Sequence, residues 1–174
     1  EMCEIFADHW GYAKEDLAYR STAQMIEELA ECRKYGSNML LNVGPVGDGS
    51  LRPIDAAMLG VVGEWVRYFE EAIRSPRPSG IEITNKSDDF LLKEGNHYYL
   101  FCFHLPMRAD GNVAQNEEAD FTDVFELPEQ IRDISWMDNG QSVAYTREGS
   151  HVTVHTEPYC YGRNLVVRVA KITC

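Results

Sequence analysis

The sequence predicts an α/β segment followed by an all-β domain: the tail of an α/β layer or (β/α) barrel over residues 1–77, joined to a small antiparallel β-sandwich over residues 78–174. Three observations predict it. Two stretches of helical periodicity flank one short apolar run between Ser21 and Arg74. The segment Ser75-Pro76-Arg77-Pro78-Ser79-Gly80 then interrupts every regular pattern, because each proline removes a donor and biases its predecessor away from the helix. Beyond it, apolar residues recur with a period of two.

In order along the chain, Ser21 with Gln24 fits a capping box. Met25, Ile26, Leu29 and Cys32 recur at helical spacing, Arg33 and Lys34 suit the negative end of the dipole, and Gly36 suits a stop. Asn38-Met39-Leu40-Leu41-Asn42-Val43 reads as a strand buried on both faces, hence part of a parallel sheet. After the Gly44–Gly49 loop, Pro53 fits a first helical turn. Ile54, Ala57, Met58, Val61, Trp65, Val66 and Phe69 trace one face of a helix running to about Arg74. The second half offers Ile81/Ile83, His97–Phe103, Val143/Tyr145, Val152/Val154 and Leu165–Ala170 as strands. Turn clusters at Lys93–Asn96, Asp138–Gly140 and Arg147–Ser150 separate them. Two helices and one strand cannot cover both faces of a parallel strand, so residues upstream or another chain are expected to complete the first half.

The 174 residues carry a formal charge of −12 with 44% hydrophobic residues, which describes a folding chain whose field repels phosphate backbones and anionic lipid. Nucleic acid and membrane partners are therefore not expected, and no apolar run approaches the ~20 residues that span a bilayer. Five scattered cysteines, Cys3, Cys32, Cys102, Cys160 and Cys174, form no Cys-x-x-Cys pair and read as separate thiols, with one distant bridge left open.

Candidate chemistry gathers at the two ends of the α/β segment. Glu1, Glu4, Asp8, His9, Trp10 and Tyr12 place carboxylates beside large aromatics, as a sugar site requires: an acid for the leaving oxygen and a flat face for ring C–H groups. The same residues also fit core aromatics among solvated acids. Asn42 stands at the carboxyl end of its strand, where barrels place site residues, or ties down the Gly-Pro loop. The Gly44–Gly49 loop lacks the Lys of a phosphate cradle. His151 and His155 share a strand face without a third ligand, which reads as a solvated stripe rather than a metal site. Asn85-Lys86-Ser87 is a glycosylation sequon.

With these residues laid out, Glu1 to about Phe69 resembles the C-terminal part of the catalytic barrel of α-L-fucosidases of glycoside hydrolase family 29. Glu1-Met2-Cys3 leading to Asp8-His9-Trp10-Gly11-Tyr12 is similar to that family's Trp-Glu-x-Cys and Ser-Trp-Gly-Tyr segments, with His9 in place of Ser. Gly36-Ser37-Asn38-Met39-Leu40-Leu41-Asn42-Val43-Gly44-Pro45 with Asp48-Gly49, and Leu59–Trp65, are similar to the runs that follow; Glu70–Arg74 departs from them. The resemblance implies a retaining exo-glycosidase that releases terminal α-L-fucose. Glu1 matches the acid/base, with Glu4 as fallback; Trp10, Tyr12 and Asn42 are expected to bind substrate, and the nucleophile lies upstream.

No metal or organic cofactor is implied. The expected partners are a fucosylated glycan or glycoconjugate and the missing N-terminal part of the barrel, with homo-oligomer formation left open. A secreted, periplasmic or lysosomal setting is expected rather than the cytoplasm. Two other readings stand beside it: a non-catalytic carbohydrate-binding or accessory module, and an obligate partner of a separate N-terminal chain.

Overall fold

The computed structural model describes residues 1–108, 121–160, 162–163 and 165–174, which form two compact units, Glu1–Tyr68 and Phe69–Cys174.

In the first unit, β1 (Met2–Ile5) leads through α1 (Thr22–Lys34) to β2 (Met39–Asn42), and α2 (Pro53–Tyr68) follows. The strands run parallel in the register Met2↔Met39 to Ile5↔Asn42. The capping box forms as the sequence predicts: the Gln24 amide N–H donates to Ser21 Oγ at 3.1 Å and the Ser21 N–H to Gln24 Oε1 at 2.9 Å. Helix α1 buries Met25, Ile26, Ala30 and Cys32, and Gly36 supplies the left-handed φ of +66° beyond its end.

The structure departs from the sequence pattern at three elements. Strand β1 was not foreseen, because Met-Cys-Glu-Ile carries a charged residue and only its partner defines it as a strand. Strand β2 is not buried on both faces: Leu40 is 43% exposed, and among the described residues the sheet has two strands only. Helix α2 stops at Tyr68, because Phe69 adopts φ −116° and ψ 22°, and a separate turn, α3 (Glu70–Arg74), follows. Of the predicted apolar face, Trp65 and Phe69 are buried, whereas Ile54 and Val61 are 45% and 50% exposed.

The second unit opens with α3. Its strands are β3 (Arg77–Pro78), β4 (Phe90–Glu94), β5 (His97–Phe103), β6 (Met107–Arg108), β7 (Thr122–Glu126), β8 (Asp133–Trp136), β9 (Ala144–Glu148), β10 (His151–His155), β11 (Tyr159–Cys160) and β12 (Val167–Thr173). A five-stranded antiparallel sheet in the order β3-β4-β5-β12-β8 faces a three-stranded one in the order β7-β10-β9, and β11 pairs with β6 in parallel. One buried cluster joins the sheets: Leu100, Cys102, Ile134 and Ile172 from the first, Phe125, Val152 and Val154 from the second. This is the predicted antiparallel sandwich, and among the described residues no helix interrupts it beyond Ile81.

Turn chemistry agrees with the sequence: Gly95 and Gly149 take φ of +57° and +65° in hairpins where side chains would be strained. Ile81 and Ile83 form no strand, β4, β7 and β8 were not foreseen, and Val166 at φ +63° delays β12 to Val167. Glu71 of α3 accepts from Tyr99 Oη at 2.7 Å and from Lys171 Nζ at 2.6 Å, and those two residues lie opposite each other in the β5–β12 ladder. Lys171, then Tyr99, hold the Glu71 carboxyl below the usual carboxylate range. Cys3, Cys32, Cys102 and Cys174 are free thiols.

Candidate functional site

Parallel pairing sets the carboxyl ends of β1 and β2 side by side, so the loops that follow them meet. Asn42, the last residue of β2, donates its side-chain N–H to the Trp10 carbonyl. A Cβ on Gly44 would lie 2.5 Å from Gly11 C and Tyr12 N, so only glycine allows the two backbones to cross this closely. Trp10, Tyr12 and Asn42 are thus brought together, and Trp10 is 59% exposed.

A third element fixes Tyr12. Asp55 on the first turn of α2 is fully buried and accepts from Arg52 twice, from Nε at 2.8 Å and from Nη2 at 3.0 Å. The guanidinium so oriented stands 5.6 Å from the Tyr12 ring centroid and 5.1 Å from that of Tyr19. Nearby, His9 Nδ1 lies 2.9 Å from Asp16 Oδ2, and this contact holds the Asp16 carboxyl low. Asp48 accepts from the Ser50 backbone N–H and Oγ, which lowers its own pKa and closes the Gly44–Gly49 loop on itself.

The structure does not bring Glu1 to this group. It precedes β1, and the register puts it at the amino end of the strand pair, ~13 Å below the level of Asn42 at ~3.3 Å per residue. Glu4 is held elsewhere, 2.7 Å from Arg20 Nη1, which also binds Glu28 at 2.6 Å. Sequence reasoning missed Arg52, Asp55 and Tyr19. The one local signal was an Arg-Pro-x-Asp start to α2, whose i,i+3 pair suits a helix N-terminus.

The β unit holds one further cluster. Asp89, Cys102 and Asp123 are all buried, with ligand atoms within 4.8 Å of one another. They could hold a metal ion, but Lys86 Nζ already stands 3.2 Å from Asp89 and 3.4 Å from Asp123, in the place a cation would take. Burial and the adjacent Asp89 carboxyl push Asp123 upward, and burial pushes the Cys102 thiol upward. His151 is held by Glu126 at 3.0 Å, and Asn85 of the sequon donates to the Thr122 carbonyl at 2.8 Å.

The family model for alpha-L-fucosidase matches residues 1–71. The tissue alpha-L-fucosidase of Bos taurus is 34% identical over 111 residues, 61% of this chain and 23% of the relative. That of Mus musculus is 30% identical over 141 residues, 78% of this chain and 31% of the relative. The chain therefore spans about a quarter to a third of the length of these curated relatives.

Among solved structures, alpha-L-fucosidase isoenzyme 1 from Paenibacillus thiaminolyticus superposes with a TM-score of 0.75 at 20% identity, covering 98% of this chain and 38% of that one. A GH29 alpha-L-fucosidase trapped covalent intermediate from Bacteroides thetaiotaomicron gives 0.74 at 19% identity, covering 98% and 37%. These likenesses bear out the fold class read from the sequence.

Proposed function

Taking the α-L-fucosidase relationship of residues 1–71 as premise, we propose that this chain is part of a glycoside hydrolase that releases terminal α-L-fucose from glycans by a retaining, two-carboxylate mechanism. The observation that carries the reading is the locking of the two family-matched loops, Trp10–Tyr12 and Asn42–Gly44, at the carboxyl ends of adjacent parallel strands, where barrel enzymes hold substrate. The covalent intermediate trapped on the Bacteroides thetaiotaomicron structure supports retention.

In this reading Trp10 offers an open ring face to the C–H side of the sugar. Tyr12, backed by Arg52, is a fixed wall of the same pocket. Asn42 is a positioning residue that sets the Trp10 loop. The amino-end position of Glu1 and the capture of Glu4 by Arg20 speak against either as the acid/base. Both reacting carboxylates are then supplied by the rest of the barrel.

The same missing part is the expected partner of the open strand pair and of the exposed Leu40, Ile54 and Val61. The 174-residue chain by itself is expected to be inactive. Among the described residues no helix is long and apolar enough to cross a membrane, and a secreted, periplasmic or lysosomal setting belongs to the same proposal.

The test is hydrolysis of 4-nitrophenyl α-L-fucoside by the full-length protein and its W10A variant. Activity should be present in the parent, and W10A should lose about tenfold or more in kcat/KM with an unchanged melting temperature. Absence of fucoside hydrolysis by the folded parent refutes the reading.

A further inference from the structure

We propose that His9, oriented by Asp16, binds the leaving group of the substrate, and that the leaving group it selects is a neutral sugar; the inference rests on the fucoside reading. The pair lies in the loop that follows the carboxyl end of β1. Asp16 is the fixed member: its side chain is 6% exposed, and Oδ1 accepts from the Ala18 backbone N–H at 3.0 Å, a bond within the loop that does not involve His9. Oδ2 lies 2.9 Å from His9 Nδ1. These two contacts, His9 first, hold the Asp16 carboxyl below its ordinary range. An ionised carboxylate can only accept, so Nδ1 carries the proton of the neutral imidazole and Nε2 is left as an acceptor. The His9 side chain is 64% exposed, so a ring held at one nitrogen stands open at its other edge. A contact at such an exposed ring adds little to stability, and folding alone does not account for its orientation.

Position and charge identify the ligand. Asn42 fixes the backbone at Trp10, the next residue, beside the carboxyl ends of β1 and β2, so His9 borders the group formed by Trp10, Tyr12 and Asn42. An enzyme that removes a terminal fucose encloses that one residue, and whatever projects past the rim of its pocket is leaving group. An open ring at the border meets that part of the substrate. Residues 8–16 carry the carboxylates of Asp8, Glu15 and Asp16 against the one ammonium of Lys14, a local field that opposes a sulfated or carboxylated sugar. An acceptor nitrogen suits the hydroxyl of a neutral sugar, whereas a nitrophenyl leaving group offers it no donor.

The experiment compares kcat/KM of the full-length protein on 4-nitrophenyl α-L-fucoside and on a panel of α-linked fucosyl-N-acetylglucosamine disaccharides, neutral and sulfated on the second sugar, with melting temperatures recorded for every variant. On the neutral disaccharide that the parent cleaves best, H9A should lose about three- to tenfold, mainly through KM, and its loss on the aryl fucoside should be smaller by about threefold or more. H9Q keeps a side-chain acceptor and should recover part of that loss. D16N keeps the ring but loosens its hold, and should show the same preference with a smaller loss. Four outcomes overturn the proposal and leave the fucoside reading standing: equal losses for H9A on both kinds of substrate, no loss on either, a parent that cleaves the aryl fucoside but none of the disaccharides, or a parent that prefers the sulfated disaccharides to the neutral ones. A folded parent that cleaves no fucoside at all removes both.

Discussion

Replacing Asp123 with Asn should remove a large pH dependence of stability. Asp123 is fully buried, close to Asp89, with the single ammonium of Lys86 between them. Burial first and Asp89 second push its pKa up to about 8, against about 3.9 for an unfolded aspartate. Between those values the folded protein holds a proton that the unfolded chain has released. Stability must then fall as pH rises through the window, by about 1.4 kcal/mol per unit, or about 2–3 kcal/mol from pH 5 to pH 7. Asn keeps the shape, can donate to Asp89 and carries no titrating proton, so D123N should lack that slope.

In thermal melts the variant should gain on the parent by about 5–10 °C between pH 5 and pH 7, at about 2–4 °C per kcal/mol for a chain of this size. Carboxyl groups held low, Glu71, Asp16 and Asp48 among them, have the opposite sign and lose their contribution only as pH falls through the carboxylate range, so they cancel between the two proteins. Parallel melting curves for parent and D123N across pH 5–7 would show that Asp123 is ionised in the fold, and the reasoning would be wrong.

Removing the countercharge instead, K86M should cost about 3–5 kcal/mol near neutral pH, measured by urea unfolding, because two buried acidic groups then face no cation. G44A must push apart the backbones at Gly11 and Tyr12 and should cost about 1–3 kcal/mol in the same assay; in the full-length protein KM for the fucoside should rise with it. E1Q should slow activated aryl fucosides and poor-leaving-group fucosides by the same small factor. A loss confined to poor leaving groups and rescued by azide would restore Glu1 to the acid/base role.

Much of this was legible in the sequence, for identifiable reasons. Helix α1 was readable end to end because its capping box and terminal glycine are local chemistry, and β5 because the six consecutive apolar or aromatic residues after His97 leave little else. Periodicity marked the face of α2 but could not say what covers it, and Ile54 and Val61 stand exposed. Strand β1 is a strand only because β2 lies beside it. At the candidate site, Trp10, Tyr12 and Asn42 were visible as residue types at matched spacing. The position of Glu1 at the amino end of the strand pair was not, since the register is a property of pairing. Arg52 with Asp55 and Tyr19, and Lys86 with Asp89 and Asp123, are assemblies of residues distant in sequence, each unremarked until the fold collects them.

The Glu71 clasp on Tyr99 and Lys171 has a consequence in time. Strand β5 can zip to β4 at once through a tight turn at Gly95, but its other edge waits for β12, far along the chain, at the cost of closing a long loop. Until β12 arrives, β5 presents seven residues of unpaired backbone with apolar side chains on both faces, the surface on which chains associate wrongly. Glu71 can bind both of its partners only when β12 has closed in the native alignment, because a slip by one residue turns Lys171 to the opposite face. The carboxylate of α3 thus acts as a late check on alignment. In pulsed hydrogen exchange during refolding, amides of the β4–β5 hairpin should be protected before those of β12, and E71Q should slow the β12 phase while leaving the hairpin phase unchanged.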